Sequence, residues 1–292
     1  MARGYTPGKL NTGTVNIKKC ERRGYMDNES LGRGDLVKEG IGHQDVTVFA
    51  YDLTTSTNRH AIEYAESGIW QGEPVVFVAD GQSAGRGRLG RSFISPKGSG
   101  IYLSILIRAD EGLASPVGVT TYAAVAALSV ISRLSGLTPS IKWVNDLYLG
   151  GKKLAGILTQ GVIDKETGRL SALVMGIGIN VCGEIEAPEI REIATTLESE
   201  CERAGLPTPT RLDILTALID EFLDGLPRVG TPDLAAEYRR HSFLIGREIT
   251  VHTPTDSYPA TVLDIDDECR LILRHPDGKE EVLSTGEVSI RF

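Results

Sequence analysis

Two short stretches limit what this chain can fold into. Pro74–Ala79 (PVVFVA) and Ile101–Ile107 (IYLSILI) lack the alternation of a half-exposed strand. Branched and aromatic runs of this length fit strands covered on both faces. Between them lies Gly81–Gly100, rich in Gly and Arg and without apolar period. The chain must therefore bury a sheet between layers and sling a long polar loop between two of its strands.

The flanking patterns supply the rest. Val46–Ala50 reads as a strand, and Ser56–Ser67 as a helix that Ser56 or Thr57 can cap, with Ala61, Ile62 and Ala65 on its apolar face. Val117–Leu134 is a long Ala-rich helix that Gly136 stops. Ile141–Leu149 and Lys152–Gln160 are strand-like and joined by Gly150-Gly151, a hairpin signal because both turn positions favour positive φ. Ala172–Val181 is a further strand, Arg211–Leu226 and Pro232–Phe243 are amphipathic helices, and a shorter helix fits Pro188–Ala204. After Gly246 come Glu248–His252, Tyr258–Asp264, Arg270–Arg274, Glu280–Leu283 and Val288–Arg291, short alternating runs parted by turn residues such as Pro276-Asp277-Gly278. They predict a small β-barrel over 246–292 behind a larger domain at 46–245.

Residues 1–45 are rich in Gly, Asn, Lys and Arg and read as a weakly ordered arm with one short helix near Asp35–Gly40. The 292 residues carry 41% hydrophobic and 24% charged side chains, the composition of a soluble globular protein. A net charge of −8 argues against a bulk electrostatic grip on nucleic acid, though not against a local basic patch. Cys20, Cys182, Cys201 and Cys269 are scattered, as expected of thiols in a reducing cytosol. No signal peptide and no apolar run of about 20 residues is evident, so no membrane span is expected and the setting is cytoplasmic.

The basic patch exists. From Gly81 to Ala109 there is no acid, where the overall frequency of 39 in 292 residues would place about four, yet Arg86, Arg88, Arg91, Lys97 and Arg108 all fall there. The core of this stretch is Gly85-Arg86-Gly87-Arg88-Leu89-Gly90-Arg91. Glycine lets backbone N–H groups approach an anion, and arginine forks match phosphate or carboxylate oxygens. The alternatives are a plain solvated loop or an RGG-like RNA-binding segment. A second cluster is Lys142-Trp143-Val144-Asn145-Asp146. If the hairpin turns at Gly150-Gly151, Tyr148 pairs with Lys153, which brings Lys153 diagonally to Asp146; a slip of one residue would undo this. Gly176-Ile177-Gly178-Ile179-Asn180 lacks the third glycine of a dinucleotide fingerprint, and its small residues instead allow close approach of a ligand or another part of the chain. Thr55-Ser56-Thr57-Asn58 is a helix start or a polar ligand site. The five histidines form no metal cluster.

Taken in order, Ser56-Thr57-Asn58, the GRGRLGR series, Lys142–Asp146, Lys153-Leu154-Ala155-Gly156-Ile157-Leu158, Gly176–Asn180 and the ending Gly286–Arg291 closely resemble the motif series of the biotin protein ligases, over about residues 46–292. The resemblance implies an α+β fold: a central mixed sheet flanked by helices, of the class II synthetase-like biotin/lipoate ligase type, followed by an SH3-like β-barrel. It implies an enzyme that makes biotinyl-5'-AMP from biotin and ATP with Mg2+, then biotinylates a lysine of a biotin carboxyl carrier protein. Ser56, Thr57, Asn58, Gln82, Arg86, Gly87, Arg88, Lys153 and Gly156 match biotin-contacting positions, with Lys153, Arg86 and Arg88 in the chemical step. Arg88, Arg91, Phe93, Lys142, Asn145, Asp146, Asn180 and Arg291 match positions around the ATP. Phe93 stands where tryptophan is usual, and Val144 where proline is usual. Some members carry an N-terminal winged helix and act as repressors. Val15–Tyr25 resembles the end of one, but the arm is too short for the whole, so no DNA binding is expected. A homodimer is expected by resemblance. The rival readings are a lipoate or octanoate ligase and a biotin-responsive regulatory protein.

Overall fold

A computed structural model describes residues 31–32, 34–110, 113, 115–185, 188–253 and 256–290. Most of the N-terminal arm, with Val15–Tyr25, and the terminal Arg291 lie outside the described residues.

The elements in chain order are α1 (Gly34–Gly40), β1 (Thr47–Tyr51), α2 (Thr57–Ala65), β2 (Val75–Ala79), β3 (Gly100–Arg108), α3 (Pro116–Ser135), β4 (Ser140–Lys142), β5 (Asp146–Leu149), β6 (Lys152–Ile163), β7 (Leu170–Asn180), α4 (Pro188–Arg191), α5 (Leu197–Ala204), α6 (Arg211–Asp224), α7 (Pro232–His241), and the strands β8 (Glu248–His252), β9 (Ser257–Ile265), β10 (Leu271–Arg274), β11 (Glu280–Leu283) and β12 (Glu287–Ile290). The run expected at Ile141–Leu149 is broken by a turn at Trp143–Asn145, and the helix expected over Pro188–Ala204 is two helices.

The first seven strands form one mixed sheet in the order β1-β2-β3-β7-β6-β5-β4, parallel only between β1 and β2. Both faces are covered, which is why β2 is buried at every position. Val76 and Val78 join the large core shared with α3, α6 and α7, while Val75 and Phe77 face a smaller cluster under α2 with Ala61, Leu106 and Val174. Helix α3 starts at Ser115, whose side chain accepts from the Gly118 N–H, and stops at Gly136, φ 74°. Its 20 residues are apolar enough to cross a membrane by length and composition, contrary to the expectation from sequence. Here the helix is a core element, with Val119, Ala123, Ala127 and Ile131 at or below 1% exposure, because the sheet and α6 supply the apolar surroundings.

The remaining strands form a five-stranded antiparallel sheet in the order β11-β10-β9-β8-β12. Among the described residues no ladder joins its edges β11 and β12, so the expected barrel is an SH3-like open sheet. Trp143 ties it to the rest: the buried indole Nε1–H donates to the Cys269 carbonyl, 2.8 Å. Removing that donor leaves a buried carbonyl unmet, so Trp143→Phe should lower unfolding free energy by about 1–3 kcal/mol, measured by urea denaturation.

Candidate functional site

The site begins where helix α2 meets the sheet. Ser56 holds the N-cap position, but its side chain makes no capping bond. The Thr57 N–H is taken instead by Gln82 Oε1, 2.9 Å, from the start of the Gly/Arg loop. Gln82 Nε2 in turn donates to Ser95 Oγ, 3.0 Å, across the same loop. A buried hydroxyl, Ser104, lies 2.7 Å from Thr57 Oγ1 and 2.6 Å from Asn58 Oδ1. Asn58 Nδ2 donates to the Leu158 carbonyl, 3.2 Å, and to Gln160 Oε1, 2.9 Å. The helix start is thus a satisfied polar network, buried because α2 packs on β3 and β7. Ser104 and Gln160 were not among the residues singled out from sequence. Ser104 carried one signal, being the one serine in the middle of the run IYLSILI.

Strands β6 and β7 form the floor. Pairing sets Gly156 opposite Gly178 and Leu158 opposite Gly176. A Cβ on Gly176 would lie 1.9 Å from Asn58 Oδ1, and one on Gly178 would lie 2.4 Å from the Phe93 ring. Only hydrogen fits at these two positions, so the close approach expected of the GIGIN run is made by side chains of α2 and of the loop.

The Gly150-Gly151 turn has φ of 58° and 80°, and the hairpin has the expected register, Tyr148 opposite Lys153. A bulge follows, because Leu147 pairs with Ala155 rather than Leu154. The Lys153 backbone bonds outward instead, its N–H to the Ile193 carbonyl at 2.9 Å and its carbonyl to the Thr195 N–H at 2.9 Å. The bulge turns Lys153 and Gly156 to the same face, and Lys153 Nζ lies 2.8 Å from Asp146 Oδ1. Asn145 is locked beside them by exchange with Ile157: its N–H···O partner is the Asn145 carbonyl, and Asn145 Nδ2 donates to the Ile157 carbonyl, both 2.9 Å. Val144, where a proline was expected, gains its constraint from elsewhere, since the buried Tyr238 hydroxyl donates to its carbonyl at 3.0 Å.

The loop closes the site from above. Arg88 reaches across it, donating to Asn145 Oδ1 at 3.1 Å and to the Gly286 carbonyl at 3.0 Å. Arg91 pairs with Glu287 of β12. Glu287 was read from sequence only as part of the Gly286–Arg291 ending and given no site role; its partner lies 196 positions away, beyond any local pattern. Phe93 is tied to Gly85 through its N–H, 2.9 Å, and its ring rests over Gly156 and Gly178.

These parts enclose a cavity of about 130 Å3. That is below the roughly 300–1,000 Å3 of a ligand site, partly because Phe93 stands in it. Its walls include Ser56, Thr57, Asn58, Gln82 and Gly87. They carry five cations, Arg86, Arg88, Arg91, Lys142 and Lys153, against two carboxylates, Asp146 and Glu287. A positive cleft in a protein of net charge −8 selects for an anion. Burial, helped by neighbouring Lys153 and opposed by Asp146, holds the Lys142 ammonium below its usual range. Of the residues expected around a nucleotide, Asn180 is not brought in: it ends β7 and donates to the Thr195 carbonyl, 3.2 Å. Arg291 lies outside the described residues.

Gly176→Ala should push Asn58 out of its network, lowering the melting temperature, and a crystal structure of the variant should show the amide displaced.

Comparisons with known proteins point to one family. Residues 50–180 match the model of the biotin/lipoate A/B protein ligase family, and residues 244–291 that of the biotin protein ligase C-terminal domain. The chain is 33% identical to the bifunctional ligase/repressor BirA of Bacillus spizizenii over 281 residues, covering 92% of this chain and 83% of that one. It is 33% identical to the biotin–[acetyl-CoA-carboxylase] ligase of Mycobacterium tuberculosis, covering 90% and 95%. In fold it resembles the biotin protein ligase of Aquifex aeolicus solved with biotin and ATP, at a TM-score of 0.70, 22% identity, and coverage of 84% and 98%. With family models matching both the larger domain and the C-terminal sheet, and relatives one third identical over nine tenths of its length, the chain belongs to the biotin protein ligase family.

Proposed function

We propose that the protein activates biotin with ATP and transfers it to a lysine of a biotin carboxyl carrier protein. The observation that carries this reading is the pairing, in one cleft, of a neutral polar slot at Ser56–Asn58 with five converging cations. A ureido-bearing acid and a triphosphate need such a division. The slot offers hydroxyl and amide partners to an uncharged head, and the cations face two anions that repel each other.

In the first step a carboxylate oxygen attacks the α-phosphorus, an acyl–phosphate bond forms, and pyrophosphate leaves with the electrons of the broken P–O bond. Lys153, held against Asp146, and Arg88, held by Asn145, are placed to offset the charge that gathers there. In the second step an acceptor amine attacks the acyl carbon, AMP departs, and the amine loses a proton. Closure of the loop by Arg88 and Arg91 onto β12 would keep water from the anhydride between the steps. Among the described residues no three carboxylate, histidine or thiol groups converge. Asp146 is the carboxylate that would help hold a Mg2+ brought in with the phosphates, and the ion would add positive charge at the transferring group. The acetyl-CoA carboxylase named for the Mycobacterium and Paracoccus relatives supports a carboxyl carrier as acceptor. The reading includes a cytoplasmic homodimer, checked by light scattering.

Biotin-dependent ATP–pyrophosphate exchange is the direct test, with lipoate as control acid. Exchange with biotin alone is expected; exchange with lipoate alone would move the chain to the neighbouring ligases. Lys153→Ala should lower the exchange rate by about 10²-fold or more while the melting curve is retained. ATP affinity should fall as pH rises through the lowered Lys142 range, because the protonated ammonium is the form that holds phosphate. In Lys142→Arg, which stays charged, that fall should move to higher pH.

A further inference from the structure

One buried ion pair lies outside the cleft and is not used by the chemistry. Arg211 opens helix α6 and is 3% exposed; its Nη1 donates to Asp80 Oδ1 at 2.7 Å, and Asp80 is itself 4% exposed. The same Nη1 donates to the Gly100 carbonyl at 3.2 Å. Asp80 is the last residue before the Gly/Arg loop, and Gly100 the first after it. The Asp80 carbonyl also accepts from the Gly98 N–H, 3.0 Å, and the Tyr102 hydroxyl donates to the Pro96 carbonyl, 2.9 Å. One guanidinium thus fastens both stems of the loop to a helix in the core.

The pair is a poor choice if stability alone is at stake. Removing two charges from water costs more than a neutral, well-packed substitute would, and Arg211 Nε is left buried without a hydrogen-bond partner. What the pair does that an apolar contact cannot is hold the Asp80 carboxylate and the Gly100 carbonyl at one directional donor. The loop it holds carries Arg86, Arg88, Arg91 and Phe93 into the cleft.

We propose that Arg211 and Asp80 are positioning residues for the ligase reaction: together they clamp the base of the Gly81–Ser99 loop and so set where its arginines meet the anionic substrates. The proposal rests on the function given above, and its test has one readout that does not. In the double variant Asp80→Leu/Arg211→Met the fold is retained by apolar packing but the clamp is gone. It should melt close to the wild type, yet trypsin should cut after Arg86, Arg88 and Arg91 about tenfold faster than in the wild type, with cut sites read by mass spectrometry. In biotin-dependent pyrophosphate exchange its KM for ATP should rise about tenfold with a smaller change in kcat, since the cations are displaced rather than removed. Arg211→Lys is the second variant. Its single ammonium keeps the charge without the planar fork, and its loop should be cut faster than the wild type. Wild-type cutting rates in either folded variant would overturn the clamp. An absence of exchange in the wild type would overturn the ligase reading alone, and the proteolysis would still decide whether the loop is clamped.

Discussion

The site depends on the way β6 is paired on both sides. Its ladder with β7 is long and regular through Gly156–Gly161, and that regularity sets Gly156, Gly176 and Gly178 into one bare strip of floor. Its ladder with β5 is short and bulged at Leu154. Without the bulge the alternation of the strand would carry Gly156 to the face opposite Lys153. With it, the ammonium, the bare strip and the Asp146 carboxylate share a face. The bulge is stabilised by the segment at 193–195, which takes up the N–H and carbonyl of Lys153 that β5 leaves unpaired.

On this floor the walls come from distant parts of the chain. Helix α2 delivers hydroxyls and an amide because Gln82 caps it from outside, leaving the Ser56 side chain without a capping role and facing the cavity. The loop between β2 and β3 delivers the guanidinium groups, and the C-terminal sheet receives two of them at Gly286 and Glu287. The small sheet is therefore part of the site, held to the larger one by contacts such as Trp143 to Cys269. Phe93 sits over the glycine strip, so loop position and cavity size are linked.

Much of this was legible in the chain. PVVFVA and IYLSILI had to be covered strands, and the Gly/Arg stretch between them had to be a loop. Gly150-Gly151 announced the hairpin, and with it the approach of Lys153 to Asp146. These succeed because they rest on local rules: side-chain alternation, positive φ at glycine, and the absence of compensating charge. The same rules misjudged 141–149, where the strand breaks at Trp143–Asn145; they found α3, though apolar length alone cannot tell a core helix from a membrane span.

What the sequence by itself determined was the order of the elements, the register of one hairpin, and the chemistry the loop could offer. What only the tertiary structure decided was which groups share the cleft. Gln82 capping α2, the bulge at Leu154, Phe93 on the glycine strip, Glu287 beside Arg91 and the Arg211 clamp all join residues far apart in the chain. Their encounters are set by how sheets and helices pack, and packing depends on the whole set of buried surfaces at once, whereas alternation and turn chemistry are written within a few residues.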